Sequence, residues 1–234
     1  MTEGGEVTEA DPVEVAAALD GTPPTLVRPD SADLDRLPEP WLPIAHGTDP
    51  AARLATALAL WNPGLLGLLP RFAEALRTRF VDVRTGIIDD CPVLLYAAPG
   101  DNGRLACWVG YDPGSFGDPP PFWDSFPEPL REFLRTVHAG FVSGSRLSYG
   151  PVRPRHMDTL ADLSDWPDGI PDWEADIAST RLLQLCTDGG GILSYCLSPD
   201  LDPGQVALVY EGDVDPQDLG PELDQLLMSR LRRP

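Results

Sequence analysis

The side chains from which this 234-residue chain could build a reaction are few: three His and four Cys, set against 37 Asp and Glu. His46, His138 and His156 are spaced too widely for His-Glu-x-x-His or His-x-x-x-His, the patterns that bring two imidazoles onto one helix face for zinc. Ser143 and Ser145 stand in Gly140-Phe141-Val142-Ser143-Gly144-Ser145. That stretch lacks the Gly-x-Ser-x-Gly elbow that exposes a nucleophilic serine. Gly189-Gly190-Gly191 offers backbone N–H groups to a phosphate, but a P-loop also needs a lysine and a following helix. The chain has no lysine, and these glycines lie between two apolar runs, which predicts a tight hairpin. Asp89 with Asp90, Asp165 with Asp168, and Asp172 with Glu174 could hold a divalent cation. The calcium-loop pattern is missing, however, and a solvated acidic face is the simpler expectation. No catalytic, cofactor-binding or metal residue is assigned, and no cofactor is expected.

Cys91, Cys107, Cys186 and Cys196 form no Cys-x-x-Cys pair and have apolar neighbours, as in Leu105-Ala106-Cys107-Trp108. Buried free thiols are expected. A disulfide between Cys186 and Cys196, which flank the glycine turn, remains an alternative that a secretory context would favour. The opening Met1-Thr2-Glu3-Gly4-Gly5-Glu6 lacks the apolar run of a signal peptide. The longest apolar stretch, Leu54 to Leu69, is broken by Asn62, Pro63 and Gly64, whereas a bilayer span needs about 20 continuous residues. A cytoplasmic protein without membrane contact is the expectation.

Charge then points to a partner. The net charge is −20, and all 17 basic residues are Arg. Such a field repels nucleic acid and anionic lipid and speeds encounter with basic proteins, although acidity also serves solubility alone. Acids and large aromatics alternate most densely at Asp162, Asp165, Trp166, Asp168, Asp172, Trp173 and Glu174. These residues are the candidate partner-binding face. The alternative for the two Trp is that they anchor the segment to the core.

The elements that must carry this face follow from periodicity and punctuation. Residues 1–10 read as an acidic tail. Asp11-Pro12 opens a short helix, residues 21–48 read as extended and pinned by Trp41, Leu42 and Ile44, and Asp49-Pro50 opens a second helix with Leu54, Leu58 and Trp61 on one face. Another helix from Pro70 buries Phe72, Leu76 and Phe80. Strands follow around Val81–Ile87, Pro92–Ala98 and Arg104–Tyr111, the last two joined at Asn102-Gly103 by a hairpin. Ser125 and Glu128 suggest a capping box for a helix to His138, stopped at Gly140. Residues 142–180 are irregular, either a flap or a packed loop. Arg181–Thr187, Ile192–Leu197 and Gln205–Glu211 are strands, and Leu219–Leu231 is a helix.

Phe126-Pro127-Glu128-Pro129-Leu130-Arg131-Glu132-Phe133-Leu134, the Asp188-Gly189-Gly190-Gly191 hairpin, the strand Val206-Ala207-Leu208-Val209-Tyr210 and the Leu-rich last helix together resemble the SUKH superfamily. The resemblance covers residues 122–234. It departs from the family pattern where that pattern runs the first helix into Asn-Gly-Gly; here the helix ends at His138-Ala139-Gly140. The resemblance implies an α+β fold with a mixed, mostly antiparallel sheet and helices packed on one side. It also implies a non-enzymatic immunity protein that binds and blocks a cognate toxin, often a nuclease. A scaffold or regulatory domain without a toxin partner is the alternative, and an enzyme of unrecognised type stands behind both. The expected organisation is residues 1–48 as tail, short helix and Pro-rich segment, 49–121 as a helical pair and hairpin packed on the main domain, and 122–234 as the SUKH-like core.

Overall fold

Proline starts most helices of the first half. In the computed structural model, which describes residues 11–19, 23–101, 103–143 and 148–232, α1 (Pro12–Ala18), α3 (Pro50–Leu58), α4 (Pro63–Leu68) and α5 (Pro70–Thr78) each begin on one. The ring pre-sets φ, and the missing N–H is one that the first turn leaves unbonded anyway. Asp11 and Asp49 cap α1 and α3 by accepting from the Val13 and Ala52 N–H groups at 2.8 and 2.9 Å. The extended segment before α3 contains β1 (Thr25–Leu26) and the short α2 (Leu42–His46), and Trp41 and Ile44 are buried. The sequence pattern shows no sign of α4, because Gly64 and Gly67 look like a break.

Helix α5 lacks a side-chain cap of its own. Asp224, from the last helix α8 (Leu219–Arg232), supplies it: Oδ1 accepts from Phe72 N–H at 2.8 Å, while Oδ2 accepts from Arg71 N–H at 3.2 Å and Arg71 Nε at 2.9 Å.

The fold is α+β with two sheets. One runs β1-β2-β3-β4-β5, with β2 Asp82–Ile88, β3 Cys91–Pro99, β4 Leu105–Tyr111 and β5 Phe141–Ser143. The other runs β6-β7-β8-β9, with β6 Leu183–Thr187, β7 Ser194–Leu197, β8 Gln205–Tyr210 and β9 Asp213–Asp218. Every strand pairing among the described residues is antiparallel. A stretch at 148–152 links the sheets. It accepts from Phe141 and Ser143 of β5 at Pro151 and Ser148, and it donates from Tyr149 and Val152 to Thr187 and Leu185 of β6.

The larger sheet is covered on both faces. In β3, Leu94, Tyr96 and Ala98 face the main core while Val93, Leu95 and Ala97 face the other way, and all are buried. A strand apolar on both faces needs cover on both. Helix α1 provides the second cover with Val15, joined by Leu19 at its C-cap. The main core is continuous from Trp41 to Leu231 and includes inward residues of both sheets and the Leu223, Leu226 and Leu227 stripe of α8.

Two local expectations are corrected. Helix α6 spans Glu128–Thr136, its N-cap is Pro127, and Ser125 Oγ donates to the Phe122 carbonyl at 2.7 Å instead of capping. Pro127 holds Phe126 extended (ψ 138°), so the helix starts too late for Ser125 to reach it. The β3–β4 hairpin is wider than two residues, since Pro99 faces Leu105 and Gly100 N–H donates to the Arg104 carbonyl. Asn102 lies outside the described residues, as do the 1–10 tail and Ser145. Strand β9, rich in Asp and holding Pro216, escapes sequence reading; it is the edge of its sheet, where a proline is tolerated.

Candidate partner-binding surface

The acidic, Trp-bearing segment forms a packed loop over the outer face of the β6–β9 sheet. Gln184 N–H donates to the Asp158 carbonyl, and Leu160 N–H donates to the Leu182 carbonyl, so the segment enters hydrogen-bonded beside β6. Thr159 then caps α7 (Leu160–Leu163): its Oγ1 accepts from Asp162 N–H at 3.1 Å and donates to Asp162 Oδ2 at 2.6 Å. The helix closes after four residues. Asp165 takes a left-handed conformation (φ 60°), Asp165 N–H reaches the Asp162 carbonyl, and Trp166 N–H reaches back to Ala161. A left-handed residue after a helix turns the next side chain off the helix axis.

This geometry separates the two tryptophans. Trp166 is 53% exposed, beside Leu163 at 48%. Trp173 is half-buried, donates from Nε1 to the Ile177 carbonyl at 2.8 Å, and packs with Ile170 and Ile177 on Leu182, Cys196, Ala207 and Val209. Trp173 is the anchor and Trp166 the exposed ring. Asp162, Asp165 and Asp168 surround Trp166 along the chain, and Asp172 and Glu174 flank Trp173; all five are exposed. Asp172, like Asp165, is left-handed (φ 57°). Of these five side chains, that of Asp162 helps shape the loop, by accepting from the Thr159 hydroxyl.

The other sequence candidates have structural roles. His138 lies at 0% exposure among Trp41, Trp61, Phe133 and Phe141, with Nε2 2.8 Å from the Tyr96 hydroxyl. Burial pulls its pKa down to about 3. The Tyr96 phenol, itself bonded from Trp61 Nε1, is pushed up by burial. Ser143 is buried in β5. In the glycine turn, Asp188 Oδ1 takes the N–H groups of Gly190, Ile192 and Leu193 at 3.1–3.4 Å. Of the three glycine N–H groups, that of Gly190 is thus taken by the chain's own carboxylate. A Cβ at Gly189 (φ 79°) would fall 1.7 Å from the Tyr149 ring, so close packing as well as the turn demands glycine there. Asp89 and Asp90 are the two left-handed residues of the β2–β3 hairpin. The four cysteines are free and buried, and a bulge at Gln184–Cys186 sets Cys186 opposite Tyr195 rather than Cys196.

Sequence reasoning passed over one polar cluster. A cavity of about 660 Å³ is lined by Arg28, His46, Gly47, Arg53 and Arg84, among others. Behind it Asp82, at 0% exposure, accepts from Arg53 Nε at 2.9 Å and Arg84 Nε at 2.6 Å, while Arg53 Nη1 donates to the Gly47 carbonyl. Asp-x-Arg in a strand places both side chains on one face, which was the available signal. Among the described residues, no group of three or more His, Cys, Asp or Glu side chains could hold a metal ion, and no helix is long and apolar enough to cross a membrane. Comparison with protein-family models, curated proteins and solved structures finds no match.

Proposed function

We propose that this protein acts by contact and not by turnover, as an immunity protein of SUKH type that binds a basic toxin through the Trp166 loop. The carrying observation is Trp166 itself: a large ring left 53% exposed, flanked by Asp162, Asp165 and Asp168, on a loop fastened by Trp173. A rigid, exposed aromatic within an acidic surround is what a protein interface uses as its anchor, because the ring buries much area at little entropic cost while the charges steer encounter. The net charge of −20 favours a cationic partner such as the substrate groove of a nuclease. Helix α8 lying against β8 and β9 is the kind of helix-on-antiparallel-sheet packing that the SUKH resemblance implies for residues 122–234. Four free, buried thiols suit the cytoplasm.

Co-expression with the product of the adjacent open reading frame tests the reading. Growth should be rescued by the wild-type chain and lost with Trp166→Ala. A toxic neighbour that the wild-type chain fails to neutralise refutes the immunity role; a harmless neighbour that still binds leaves the scaffold reading in its place.

A further inference from the structure

We infer that Cys91 is a modification site, a thiol that hydrogen peroxide converts to the sulfenic acid, with Arg153 facing the sulfur and stabilising the thiolate that attacks. Cys91 opens β3, next to the exposed Asp89–Asp90 turn, and is 7% exposed; Cys107, Cys186 and Cys196 are at 0%. The second observation is independent of the cysteine. Arg153 is 5% exposed, its Nε has no hydrogen-bond partner, and among the described residues no carboxylate forms an ion pair with it. Its guanidinium stands over the Tyr111 ring at 4.5 Å and donates from Nη2 to Cys91 Sγ at 3.5 Å. A desolvated cation lacking an anion favours charge build-up on the atom it faces.

In the reaction the thiol proton passes to solvent and the thiolate attacks one peroxide oxygen. The S–O bond forms and the O–O bond breaks, with sulfur giving two electrons to the peroxide. The departing hydroxide takes up a proton from solvent and leaves as water, and Arg153 keeps its protons. The other three thiols have no such help: burial pushes Cys107 up to about 12 and raises Cys186 and Cys196 as well.

The test treats the folded full chain with limiting hydrogen peroxide in the presence of dimedone and maps the adducts by peptide mass. The adduct on Cys91 should exceed that on each other cysteine about tenfold or more, and Arg153→Met should cut its rate about tenfold while Arg153→Lys retains most of it. Cys91→Ser should abolish the label. An even spread of label, a silent Cys91 in the folded wild type, or a folded Arg153→Met variant labelling at the wild-type rate would each overturn the inference. If Arg153→Met does not fold, the wild-type map alone decides.

Discussion

Lowering the pH from about 8 to about 5 is expected to destabilise the native protein through His138, a neutral imidazole held at 0% exposure among aromatic rings. Its unfolded value is 6.5 and its native value about 3. Between the two, the unfolded chain binds a proton that the native chain refuses, so this contribution is complete above the unfolded value and declines as the pH falls through it. A medium at pH 5 lies about 1.5 pH units below the unfolded value, and at about 1.36 kcal/mol per unit the loss is about 2 kcal/mol. The assay is urea unfolding followed by Trp fluorescence, on wild type and His138→Gln, at both pH values. Both chains carry the same 37 acids, so the relief of acidic repulsion and the titration of carboxylates cancel in the comparison. The wild type should lose about 2 kcal/mol more than the variant on acidification, whatever the substitution costs at pH 8. Equal losses in the two proteins would refute the claim that His138 is buried and neutral.

The remaining predictions concern two buried carboxylates and two turn glycines. Asp224→Ala strips the N-terminus of α5 of its cap and should cost about 3 kcal/mol by thermal melt, with Asp224→Asn, which keeps an acceptor oxygen, nearer half that. Asp82→Asn leaves Arg53, at 4% exposure, without its charge partner, and should cost about 3–5 kcal/mol in urea. Gly189→Ala meets the Tyr149 ring and should cost about 2 kcal/mol or more, whereas Gly191→Ala, with open space around it, should cost about 1 kcal/mol for its left-handed backbone.

Local signals exposed much of this fold and little of its site. Asp11-Pro12 and Asp49-Pro50 start helices where they stand, because cap and proline act within one turn. The apolar runs at β3, β4, β6 and β8 announce strands for a similarly local reason. What escaped depends on distant partners or on a neighbouring proline. Helix α4 contains two glycines and holds through Leu65, buried in the core, and through Asn62, which donates from Nδ2 to the Pro129 carbonyl and Glu132 of α6. Strand β9 is mostly acids and proline, and exists because β8 offers it a ladder. Trp166 and Trp173 look alike in the sequence. They differ because Asp165 turns left-handed after α7, and because Trp173 can reach Ile177 and the outer sheet face. Arg53 sits on a helix beside Leu54, and only the fold brings Asp82 to it.

The proposed binding role requires Trp166 to serve as an anchor instead of an idle surface ring. Calorimetric titration of the chain with the purified product of the adjacent open reading frame measures that directly. Trp166→Ala should weaken binding about 30-fold or more. Reversing Asp168 and Glu174 to Arg should slow association at low salt; these two are cleaner choices than Asp165 and Asp172, whose left-handed backbone a substitution would strain. Tight binding unaltered by the loss of the ring and by both reversals would contradict it.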